Sequence, residues 1–61
     1  MSGTFSLYGP GGRQYDFEPR HDEVLVTFYG PDTPVVRYGV PVQEARWLYK
    51  QLLRKEYRRA S

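Results

Sequence analysis

Over the first forty positions apolar and polar residues alternate, and after that the period changes. Thr4 to Tyr8 sets Phe5 and Leu7 on one face. Arg13 to Glu18 sets Tyr15 and Phe17 on one face, with Gln14, Asp16 and Glu18 opposite. Glu23 to Tyr29 puts Val24, Val26 and Phe28 on one side and Leu25, Thr27 and Tyr29 on the other. Val35 to Val40 directs Val36, Tyr38 and Val40 inward, with Val35 and Arg37 outward. A period of two marks a strand with one buried face. Three clusters of turn formers separate the runs: Gly9-Pro10-Gly11-Gly12, Pro19-Arg20-His21-Asp22 and Gly30-Pro31-Asp32-Thr33-Pro34. This spacing predicts an antiparallel meander. Glu23 to Tyr29 is its strongest strand and is expected to be central. Thr4 to Tyr8, short and near a terminus, is expected at the outside.

Beyond Val40 the pattern becomes helical. Proline suits the first position of a helix, where its missing N–H costs nothing, and it holds the residue before it extended. Glu44 falls early and the cations fall late, which suits the helix dipole at both ends. No glycine or proline interrupts residues 42–61, so the helix is predicted from about Pro41 to Arg58. At about 100° per residue, Val42, Ala45, Leu48, Tyr49, Leu52 and Leu53 share the sector that packs on the sheet. Trp47 points nearly opposite, on the side of Gln43, Lys50, Gln51, Arg54 and Arg58. A helix of that length rises roughly 27 Å and outruns six-residue strands of about 20 Å. Its last turns, with Arg54, Lys55, Tyr57, Arg58 and Arg59, are expected to overhang.

The predicted fold class is α+β: a three- to four-stranded antiparallel meander followed by one C-terminal helix packed on one face. Residues 1–61 are expected to form a single small domain, with 1–12 either flexible or a weak edge strand, 13–40 the meander and 41–59 the helix. The expected core is Phe17, Val24, Val26, Phe28, Val36, Tyr38, Ala45, Leu48, Tyr49 and Leu52.

Composition narrows the chemistry. A chain of 61 residues buries only about 60% of the surface that it exposes when unfolded, so its stability is marginal. Cysteine is absent, which removes disulfides and thiolate metal sites, and one histidine is too few for a structural zinc centre. No metal or cofactor is expected. Aromatics make up 16% of the chain, far from the composition of a disordered segment. No apolar run approaches the ~20 residues that span a bilayer, and Met1 to Ser6 has neither the basic nor the apolar stretch of a signal peptide. A cytoplasmic chain without a membrane partner is expected.

Charge divides along the chain. Residues 1–36 carry two basic and five acidic side chains, net −3; residues 37–61 carry seven basic and two acidic, net +5. Such asymmetry concerns partners rather than fold. Catalysis has little to stand on. His21 and Asp22 could pair as a dyad, but they sit in a turn with no nucleophile set beside them, and they read as surface polar residues. Asp22 and Glu23, as strand neighbours, point to opposite faces. The Gly9–Gly12 loop lacks the following helix that phosphate loops use, and it reads as a turn. The chain is expected to be no enzyme.

The basic helix carries the strongest signal. Arg46, Lys50, Arg54, Arg58 and Arg59 are placed to neutralise successive phosphates, and Trp47 to stack on an unpaired base. RNA and DNA fit equally. The same face suits a protein partner, because tryptophan and arginine are enriched at interface hot spots. In that reading the chain is an interaction module or the accessory subunit of a larger complex. A homodimer fits as well, since an acidic sheet and a basic helix complement each other and an outer strand such as Thr4 to Tyr8 can pair with a partner strand.

Tyr15-Asp16, Val24-Leu25-Val26-Thr27-Phe28, the turn at Gly30, Tyr38-Gly39-Val40-Pro41 and Leu52-Leu53 together resemble the KTSC domain. This small module is related to a C-terminal region of some lysyl-tRNA synthetases. The resemblance spans Tyr15 to Leu53, about two-thirds of the chain. The order of strands then helix also looks like the single-stranded DNA-binding fold of the transcriptional positive-cofactor type, which dimerises. Both resemblances imply nucleic acid, and neither supplies a site residue.

Overall fold

The computed structural model describes residues 3–60; the first two residues of the N-terminal segment 1–12 lie outside them. Four strands form the meander: β1 (Phe5–Tyr8), β2 (Gln14–Pro19), β3 (Val24–Gly30) and β4 (Thr33–Val40). A helix, α1 (Val42–Arg54), follows, and then a two-residue strand, β5 (Arg58–Arg59). The sheet is antiparallel throughout, in the order β4-β3-β2-β1-β5. The α+β class and the meander-then-helix order are as the alternation predicts. β5 is the addition, and it makes β2 the middle strand with β3 beside it.

Register fixes the two faces. Phe5 opposes Phe17, which opposes Val26, which opposes Tyr38. Leu7 opposes Tyr15, which opposes Phe28. Opposed residues share a face, so these rows form the side that receives α1. The buried core is Leu7, Phe17, Val24, Val26, Ala45, Leu52 and Tyr57, with Phe5, Tyr15, Val40, Leu48 and Tyr49 packed against it. The other face is polar at its centre. Asp16 accepts hydrogen bonds from Ser6 Oγ and Gln14 Nε2, each at 2.7 Å. Glu18 pairs with Arg20 at 3.1 Å and with Arg37 at 3.3 Å.

α1 leaves the sheet at the end of β4, one edge, and delivers the chain to β5, the other edge. Thirteen helical residues rise about 20 Å. Five strands spaced about 4.8 Å apart span roughly 19 Å. The helix is therefore as long as the sheet is wide. It runs corner to corner, from the row of Val40 and Val24 to the row of Leu7 and Arg59. Two corners stay uncovered. One is the far part of β4, where Val36 and Tyr38 face the helix side yet remain exposed. Their inward direction is as expected; their burial is not, because the helix does not reach them.

The helix also ends earlier than predicted, at Arg54 instead of Arg58. Tyr57 N–H donates to the Leu52 carbonyl at 3.1 Å and Glu56 N–H to the Leu53 carbonyl at 3.4 Å. This is a Schellman closure, with Glu56 in the left-handed region at φ 71°. Its apolar contact joins Tyr57 and Leu52, both buried. The segment 55–59 therefore does not overhang as helix. It turns back, sinks Tyr57 into the core and lays Arg58 and Arg59 along β1.

Candidate nucleic-acid interface

Trp47 is 64% exposed, the most open of the large apolar side chains among the described residues. Ala45 and Leu52 point into the core, which turns the opposite wedge of α1 outward. At about 100° per residue that wedge holds Gln43, Trp47, Lys50 and Arg54, a spacing of four, three and four. All four are exposed. Lys50 lies one turn beyond Trp47, and Arg54 one turn beyond Lys50, so indole and cations run about 10 Å along one ridge. The two ion pairs among the described residues both fall on Glu18. Lys50 and Arg54 keep their charge uncompensated.

The six residues singled out from the sequence do not form one surface. Trp47, Lys50 and Arg54 stay together. Arg46 turns to the flank of α1, at the rim of an apolar groove of about 270 Å³ floored by Phe5, Phe17, Val24 and Ala45. This groove is the second uncovered corner. Arg59 lies on the helix side of the sheet, its guanidinium 4.3 Å from the centre of the Phe5 ring. Arg58 opposes Tyr8, which opposes Gln14, which opposes Tyr29. That row lies on the face away from α1. The helical projection placed Arg58 beside Trp47, and the strand reversal after Glu56 separates them.

Sequence reasoning missed the groove and its aromatic wall. Phe5 stacks on Phe17 at 5.2 Å, and the Tyr49 ring meets both edge-on. The signal was the pairing of Phe5 with Phe17 across a hairpin, hidden while Thr4 to Tyr8 was read as a marginal outer strand. Among the described residues no three His, Asp or Glu side chains gather as metal ligands would, and no helix is long and apolar enough to cross a membrane. No protein-family model matches the chain, and comparison with curated proteins and with solved structures returns no match.

Proposed function

We propose that this chain is a small, non-enzymatic, cytoplasmic module that binds single-stranded nucleic acid along the outer ridge of α1. Trp47 stacks on an unpaired base, and Lys50 and Arg54, one and two turns further along the ridge, neutralise successive phosphates to one side of it. The observation that carries this reading is an indole 64% exposed in line with two uncompensated cations on one ridge of α1. A fixed aromatic plate with flanking charge is how proteins hold unpaired strands without reading sequence. The KTSC-like pattern from Tyr15 to Leu53 supports the same class of ligand.

Trp47 is the sole tryptophan, so its emission reports on this site alone. Single-stranded DNA and RNA oligonucleotides are expected to quench it at low salt, with affinity falling steeply as salt rises. In anisotropy titrations of labelled oligonucleotides, Trp47→Ala is expected to lose roughly 5- to 150-fold in affinity for single strands, the equivalent of about 1–3 kcal/mol of stacking. Duplex affinity changes less. Absence of binding at low salt, or equal affinity of Trp47→Ala and wild type, overturns the reading. The alternative, a protein partner on the same ridge, predicts a blue shift on adding that protein and no response to oligonucleotide.

A further inference from the structure

β4 is the open edge of the sheet. The opposite edge is reduced to the two residues of β5, and β1, which the alternation placed outside, is flanked by β2 and β5. β4 is eight residues long and exposed from Thr33 to Gly39. An edge strand carries a row of N–H and C=O groups without partners, and another β-strand in the plane of the sheet satisfies them all. Val35 is 59% exposed on one face of this strand, with Val36 and Tyr38, 48% and 40% exposed, on the other. Natural edges are blunted by charge or proline. Pro34 guards one end. From Val35 to Val40 the single charge is Arg37, and its guanidinium is drawn across β3 to Glu18 on β2. The side chains of this segment are otherwise apolar, and at Gly39 the Glu23 carboxylate leans over the strand, its Oε1 2.6 Å from where a Cβ would sit.

We propose that two copies of this chain join β4 to β4, antiparallel, extending two five-stranded sheets into one of ten strands. The edge complements its own copy: between apolar side chains it carries one cation, Arg37, and one carboxylate, Glu23 over Gly39, two residues apart on the same face. Register follows from the side chains. A two-fold axis normal to the sheet must pass through a residue if opposed side chains are to share a face. Centred on Arg37, the pairing sets like charges opposite each other. Centred on Val36, it draws Pro34 into the ladder. Centred on Tyr38, it opposes Tyr38 to its copy, Val36 to Val40 and Arg37 to Gly39, and leaves Pro34 outside. The Tyr38 register also covers the corner that α1 leaves bare. Both helices then stand on one side of the joined sheet, and their Trp47 ridges face the same way. On the nucleic-acid reading, that makes the assembly bivalent.

A contact one strand long lies near the lower end of specific interfaces, roughly 1,200 Å² in total, so association is expected in the micromolar range. Sedimentation equilibrium of the whole chain, without nucleic acid, tests it. The mass is expected to rise from 7.2 kDa to twice that value with concentration. Tyr38→Lys, at the centre of the ladder, and Val36→Lys, which would face Val40 of the second copy, are each expected to weaken dimerisation at least tenfold while circular dichroism is unchanged. Trp47→Ala is expected to dimerise like wild type. A monomer at every concentration, a mass that climbs past the dimer, dimers that persist in both lysine variants, or loss of the dimer in Trp47→Ala each overturn the proposal. Because no oligonucleotide is present, the result is independent of whether the ridge binds one.

Discussion

The ring of Tyr57 lies directly against the backbone of Gly9, so that a methyl group added to Gly9 would overlap it. Gly9 is extended, with φ −117°, so the glycine is needed for space and not for an unusual conformation. Tyr57 in turn meets the Tyr15 ring edge-on at 5.5 Å. The two ends of the chain are thus locked through one aromatic ring. Gly9→Ala is expected to destabilise the fold by about 1–3 kcal/mol, the cost of overpacking, in urea denaturation. In a Tyr57→Leu background the added cost of Gly9→Ala should shrink, and a double-mutant cycle measures the coupling.

Glu56 occupies the position that ends α1 with φ 71°. A side chain in the left-handed region costs roughly 1–2 kcal/mol, partly offset by the entropy that glycine loses on folding. Glu56→Gly is expected to raise stability by up to about 1 kcal/mol, read as a higher Tm. Glu56→Val, β-branched at that φ, should lower it.

That glutamate explains where the sequence misleads. A helix stop normally shows as glycine or proline, and residues 42–61 contain neither. The periodicity therefore ran on, taking Tyr57 for a surface residue and Arg58 for a neighbour of Trp47. Strands were easier to read, because each buries one face and the alternation of Tyr15 with Phe17 or Val24 with Val26 records it. The outward direction of Trp47 was legible too, fixed by Ala45 and Leu52 on the same helix. What alternation cannot record is how far the helix reaches across the sheet. Val36 and Tyr38 keep the inward pattern and stay exposed; Leu7, on a strand that looked peripheral, is fully buried.

Burial pushes the Tyr15 hydroxyl above its ordinary pKa of 10.0; Tyr57 and Tyr38 raise it further, against a smaller opposing pull from Arg13. The folded state then holds this proton more tightly than the unfolded chain. The sign follows by linkage: the contribution is fully present below pH 10, and it is lost as pH rises through the folded pKa. Stability is expected to fall on the alkaline side, and Tyr15→Phe to flatten that fall. Urea denaturation across the alkaline range, beside a phenolate absorbance titration, checks both.

The basic residues that looked alike in sequence should separate in solution. Lys50 and Arg54 stand uncompensated on the Trp47 ridge, whereas Arg59 is spent on the Phe5 ring and Arg58 lies across the sheet. Each phosphate neutralised contributes about 0.9 (duplex) or 0.7 (single strand) to the slope of log affinity against log salt. Lys50→Ala with Arg54→Ala is therefore expected to lower the single-strand slope by about 1.4 and to leave stability nearly unchanged, since both side chains are exposed. Arg59→Ala should do the reverse. It removes a cation–π contact of about 0.5–1 kcal/mol, loosens β5 from β1, and leaves the salt slope where it was. Oligonucleotide titrations at several salt concentrations, paired with urea denaturation of the same variants, read both effects. An Arg59→Ala slope that drops as far as that of the double variant would move the phosphate contacts off the ridge and onto the β5 edge.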